Sequence, residues 1–142
     1  MLKTAPAVFA VGREYQIMVP VTEPSLMWVR VGETCYYDES NGVMRSLSPI
    51  HRMKVPMEEL NRAGRYTVCE RRIRDRKPYR PEIDDAIETE YLFSPLPSTC
   101  VRAYHIADAH NRVEEPVRAA QTFGSIDLLI LNGDIPNHSG DI

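Results

Sequence analysis

This chain has little of what marks specialised classes of protein. Of its 142 residues only three are cysteine: Cys35, Cys69 and Cys100. An odd count with no CxxC pair is not a disulfide framework or a zinc ribbon. Free thiols in a reducing cytosol are the simplest account, and a cytoplasmic location is expected. A Cys35–Cys69 bridge is open to the sequence but not favoured. No apolar run approaches the ~18 residues of a membrane-spanning helix. No excess of one charge exists either: 17 basic and 20 acidic residues leave a net charge of −3. That balance gives no field for nucleic acid or an anionic membrane as the main partner. The first residues, MLKTAPAVFAVGREY, carry one lysine and a short apolar patch that contains Pro6 and breaks at Gly12. They make a poor signal peptide and read as mature sequence.

What is present is ordinary for a soluble globular protein, with 43% apolar and 26% charged residues. Length alone suggests one domain. A stiff segment, Ser94-Pro95-Leu96-Pro97, nevertheless reads as a linker. It divides the chain into residues 1–97 and 98–142.

The first part reads as all-β. Tyr15, Ile17, Val19 and Val21 alternate with Gln16, Met18 and Pro20, the period of a strand. Leu26 to Val31 forms a second strand carrying the only tryptophan, Trp28. Gly32 marks a bulge or turn before Thr34 to Tyr37. Asn41-Gly42 suits a hairpin connection, with Val43 to Leu47 returning. In His51 to Val55, Met53 and Val55 share one face, and His51 is expected at the surface. Met57 to Asn61 suits a single helical turn. Ala63-Gly64-Arg65 then leads into Tyr66 to Glu70, and Tyr91-Leu92-Phe93 ends the part. Gly64 and Tyr66 before a strand resemble the tyrosine corner of immunoglobulin-like sandwiches. About seven short strands with a central tryptophan predict a mainly-β fold. The expected form is an antiparallel sandwich of the immunoglobulin or fibronectin type III sort, with Trp28 and Tyr66 buried.

Between these strands lies a charge switch. Arg71, Arg72, Arg74, Arg76, Lys77 and Arg80 precede Glu82, Asp84, Asp85, Glu88 and Glu90. One reading is a phosphate or nucleic-acid patch. The other, favoured because an acidic arm cancels the field of a basic one, is a hairpin bent at Pro78 and Pro81.

The second part holds the chemistry. Val101 to Ala107 reads as a strand ending in Asp108-Ala109-His110. A helix is expected from about Glu114 to Thr122, with Asn111 as its N-cap, Pro116 in its first turn and Gly124 at its close. Val113, Val117 and Ala120 would cover the sheet. Ile126 to Leu131 is a second strand, ending in Asn132-Gly133-Asp134. Parallel strands joined by a helix open their C-terminal ends onto one sheet edge, where open α/β sheets bind ligands. Asp108, His110 and Asp134 would then converge. Their oxygen and nitrogen donors suit zinc, iron or manganese. Asn137 and His138 could reach such a site from behind, but a solvated loop is the favoured reading of both. His105, inside the strand, is expected to be structural.

Asp108-Ala109-His110 followed by Gly133-Asp134 resembles the first two motifs of the calcineurin-like metallophosphoesterases. That family runs Asp-x-His, Gly-Asp, Gly-Asn-His-Asp/Glu and two later histidine motifs. The resemblance covers about the last 45 residues. It implies that Asp108 and His110 bind a first metal and that Asp134 bridges two divalent or trivalent ions (manganese, iron or zinc). It implies a phosphate ester as substrate. Sandwich domains precede the catalytic domain in some members, purple acid phosphatases among them. The later motifs are absent here. The chain is therefore expected to be the N-terminal part of a longer hydrolase, with a truncated βαβ unit, and inactive by itself. Self-association through that incomplete unit is expected. The alternative is a non-catalytic sandwich that binds or packs.

Overall fold

The structure, a computed structural model, describes residues 5–38, 48–75, 77, 79–112 and 114–132. Contacts divide the chain into two units, Met1–Pro95 and Leu96–Ile142. The fold is mainly β.

In the first unit, β1 (Ala7–Val11), β2 (Glu14–Pro20) and β5 (Ile50–Pro56) form one antiparallel sheet in the order β1-β2-β5. A second sheet contains β3 (Ser25–Val31), β4 (Thr34–Tyr37) and β6 (Arg65–Asp75) in the order β4-β3-β6. The far side of β6 is shared by β7 (Glu82–Ile83) and β8 (Ile87–Leu92), each antiparallel to it. Gly32 (φ 58°) makes the tight turn from β3 to β4, a conformation that glycine adopts without a steric penalty. The segment read as N-terminal patch is β1, which the sequence reading did not identify as a strand. The predicted strand Val43 to Leu47 and the Asn41-Gly42 turn lie outside the described residues.

The strands of both sheets, β7 apart, turn one face to a common core. Val8, Ile17, Val19, Met53 and Val55 from the first sheet meet Met27, Val29, Val31, Tyr66 and Val68 from the second. Helix α1 (Met57–Ala63), longer than the single turn expected, adds Leu60, which is fully buried. Glu58 and Glu59 in its first turn and Arg62 in its last complement the helix dipole. Gly64 closes it in the left-handed conformation, donating its N–H to the Leu60 carbonyl at 3.0 Å. Two tyrosines pin the helix. Tyr15 donates to Asn61 Oδ1 at 3.1 Å, and the Tyr36 hydroxyl donates to the Glu59 carboxylate.

Trp28 corrects an expectation. Along β3, Ser25, Met27, Val29 and Val31 are buried. Trp28 therefore lies on the opposite face with Arg30, its ring 6.2 Å from that of Tyr37. The physical reason is the parity of a strand. Burying Trp28 would also turn Arg30 into the core, and an unpaired buried guanidinium costs far more than a half-exposed indole. Arg30 instead meets Glu88 at 2.5 Å on that outer face. Tyr66 is buried as expected and stacks on Tyr91 at 5.8 Å. All three cysteines are free. Cys35 pairs with Arg30 and Cys69 with Trp28, so β3 lies between them. Two strand spacings, about 9–10 Å, exceed what a disulfide can span.

In the charge switch one ion pair joins the two arms, and the other described pairs reach acidic residues outside the acidic arm. Arg74 meets Asp84 at 2.5 Å, Lys77 meets Asp75 at 2.8 Å and Arg72 meets Glu23 at 3.4 Å. Its acidic arm is split between β7 and β8 rather than forming one long hairpin, because β6 is long enough to take both.

In the second unit, β9 (Ala103–Ala107) and β10 (Leu128–Asn132) pair in parallel, with α2 (Glu114–Phe123) in the connection. Pro116 sits in the first turn of α2 and Gly124 follows its end with φ 83°. Asn111 is not the N-cap. It adopts φ 63°, three residues before the helix begins, whereas a cap residue is extended. Tyr104 holds helix to strand: its hydroxyl donates to the Pro116 carbonyl at 3.0 Å, and its ring lies 5.8 Å from that of Phe123. Val117, expected to cover the sheet, is half exposed. A sheet of two strands is too narrow to receive the whole helix face.

Two measurements check this arrangement. In urea unfolding, Met27→Ala should cost about 2–5 kcal/mol, and Trp28→Ala less than half as much despite the larger side chain. Burial, then the contact with Glu59, pushes the Tyr36 hydroxyl up to about 12 from an ordinary value of 10.0. The folded protein thus holds this proton more tightly than the unfolded chain. Its contribution is complete below pH 10 and is lost as pH rises towards 12. Tyr36→Phe should flatten the decline of stability across that window, while Tyr66, also raised by burial, preserves part of it.

Candidate metal site

The register of the second unit levels the two strand ends. Ala107, last in β9, pairs with Asn132, last in β10. The two strands therefore end at the same edge of the sheet, and Asp108 follows the end of β9. Ala109-His110-Asn111-Arg112 forms a tight turn, closed by the Arg112 N–H donating to the Ala109 carbonyl at 2.7 Å. Asp108 (φ 50°), His110 (φ 46°) and Asn111 (φ 63°) all lie in the left-handed region. Asp, Asn and His tolerate that region better than other side chains bearing a Cβ, but it still costs free energy. Ala109 is turned inward and buried, while Asp108 and His110 are exposed. The backbone thus presents both polar side chains to solvent by sinking the small residue between them.

Asp134, Asn137 and His138 lie outside the described residues. Among the described residues, no group of three or more His, Cys, Asp or Glu side chains is placed to hold a metal. Asp108 and His110 alone offer one carboxylate and one imidazole, too few donors to close a coordination sphere. His105 is exposed rather than packed, on the sheet face away from Tyr104. The opposite end of the unit is fastened: the Arg102 N–H donates to Asp127 Oδ2 at 2.8 Å, and the Asp127 N–H to the Arg102 carbonyl at 3.0 Å. The surface depressions of the first unit, one beside Arg72 and Asp84 and another beside Arg30 and Glu90, involve neither Asp108 nor His110.

One polar constellation was not anticipated. His51, expected at the surface, is fully buried, with Nδ1 at 2.8 Å from Asp38 Oδ2. The Arg52 N–H donates to the same oxygen at 3.0 Å. A carboxylate only accepts, so Nδ1 carries the proton. Nε2 has no hydrogen-bond partner among the described residues. A carboxylate behind an imidazole is how a catalytic histidine is oriented, but a fully enclosed ring reaches no substrate. The pair is structural. Its signal was available: Met53 and Val55 face the core, and the same alternation carries His51 with them.

Compared with known proteins, the chain matches no family model, no curated protein and no solved structure. Among the described residues no helix is long and apolar enough to cross a membrane.

Asp38→Ala should destabilise the fold by about 2–4 kcal/mol in urea unfolding, since it strands the buried His51 Nδ1–H and the Arg52 N–H. Thiol labelling gives a second check. Cys100, exposed, should react in the native state, whereas Cys69, buried and with its thiol pushed up by that burial, should react only on unfolding.

Proposed function

We propose that this chain is part of a metal-dependent phosphoesterase, in which Asp108, His110 and Asp134 contribute to a site for two metal ions. The observation that carries the reading is the level register of Ala107 and Asn132. With it, an Asp-x-His turn in strained, solvent-facing geometry and a Gly-Asp pair, in sequence, follow the C-terminal ends of two neighbouring parallel strands. Nothing in a generic strand end requires left-handed Asp and His around a buried alanine. When bound, such ions orient a phosphate ester and make a hydroxide nucleophile available near neutral pH. This chain's own contribution is to fix a carboxylate and an imidazole at one sheet edge. Three ligands leave two coordination spheres incomplete, so the chain alone is expected to be inactive. Manganese, iron and zinc all suit these donors. Three free cysteines fit a cytoplasmic setting.

In the same reading the first unit is a sandwich of the immunoglobulin or fibronectin type III sort. What supports this is the strand order: β1-β2-β5 would correspond to strands A, B and E, and β3-β6-β8 to C, F and G, with β4 beside C. A purely structural or binding role for that unit is the rival reading.

Calorimetric titration of the chain with manganese or zinc decides between them. Weak binding that Asp108→Asn, His110→Ala or Asp134→Asn each abolishes, with unchanged thermal stability, is expected. Binding indifferent to all three substitutions would defeat the proposal. Turnover of p-nitrophenyl phosphate with either metal should remain near the blank. Robust turnover lost in Asp134→Asn would show the site to be more complete than proposed.

A further inference from the structure

The two sides of the first unit are finished differently. Where β4 ends beside β5, the Asp38 carboxylate occupies the Arg52 N–H of an edge strand. On the other side of that sheet, β1 is outermost and pairs with β2. No further backbone hydrogen bond reaches β1 from the described residues. Edge strands are normally guarded by charge, proline or a bulge, because their free N–H and C=O groups invite another strand. β5 carries Arg52 and Lys54, and β8 carries Glu88 and Glu90. β4 has no charge but runs into Asp38, which is bound across to β5. β1 reads Ala-Val-Phe-Ala-Val, without a charge or a proline, and pairs with β2 in continuous register.

We propose that β1 is an association strand, and that its partner is β1 of a second copy of this chain. Antiparallel pairing about a two-fold axis at Phe9 would join two three-stranded sheets into a continuous one. A two-fold interface requires a patch complementary to itself. This strand qualifies: centred on Phe9, the pairing sets Phe9 against Phe9, Val8 against Ala10 and Ala7 against Val11. Every cross-strand pair is then apolar, with no like charges opposed. Val8 keeps its place in the core, at 2% exposure, so no refolding is needed.

Sedimentation of the full chain over a range of concentrations tests this. The second unit is the competing surface, since its Leu129, Ile130 and Leu131 are 53%, 41% and 57% exposed. The wild-type chain should form a dimer. Phe9→Lys opposes two like charges at the axis and should weaken it by roughly tenfold or more, the equivalent of about 1.4 kcal/mol. Leu129→Lys should leave a β1-dependent dimer in place. Val11→Lys, at a position already 53% exposed, serves if Phe9→Lys fails to fold. A wild-type chain that stays monomeric, or an association unaffected by the β1 substitutions, would overturn the proposal.

Discussion

The Asp38 carboxylate stands where the two sheets of the first unit meet. It accepts a hydrogen bond from His51 Nδ1 at 2.8 Å and another from the Arg52 backbone N–H at 3.0 Å, and Asp38 is 8% exposed. Both donors belong to β5 of one sheet, while Asp38 follows β4 of the other. A carboxylate removed from water is tolerable only when its oxygens are satisfied. The hydrophobic contacts between the sheets are non-directional and would permit some sliding. Two charge-assisted bonds to consecutive residues fix the register at this corner. The cost is visible on the far side of the ring, where Nε2 lacks a partner among the described residues.

The second unit is built on different terms. It has two parallel strands and one helix, joined through Tyr104 and anchored by Arg102 and Asp127. Parallel strands usually have both faces covered. Here Leu129, Ile130 and Leu131 remain largely open, and Phe123 is 70% exposed. Against that thin packing, three consecutive-region residues held at positive φ are notable, because little local burial offsets their strain. The proposal of a metal site begins at this strained turn.

Alternation made most of the first unit legible from sequence. β2, β3 and β5 follow the period-2 pattern, and β6 follows it only from Tyr66 to Val68, before buried Cys69 breaks it. Two errors came from passing over a residue's position in that pattern. Trp28 is expected inside from the likeness to a sandwich with a central tryptophan, yet Arg30, two residues on, settles which face looks out. His51 is expected outside because no partner for it stands nearby in sequence, yet Arg52 and Lys54 flank it on the other face. Its partner Asp38 is thirteen positions away and no local pattern links them. Strand β1 was hidden by Pro6 and by its resemblance to a leader patch. For the candidate site, the two strands were legible from their apolar runs and the helix from Pro116 and Gly124, whereas the cap expected at Asn111 was not found. The left-handed turn was not, since φ values at Asp and His leave no periodic trace. Asp134 depends on residues beyond those described.

The corner bond gives the most direct test of how the first unit is held. Arg52 lies on an edge strand, where an N–H open to water exchanges rapidly. If the Asp38 carboxylate joins the sheets as described, native-state hydrogen exchange should show the Arg52 amide protected to the same extent as the β3–β6 ladder. Asp38→Asn should selectively weaken that protection. An Arg52 amide that exchanges as fast as a free edge N–H, in a protein whose β3 and β6 amides are protected, would contradict the account.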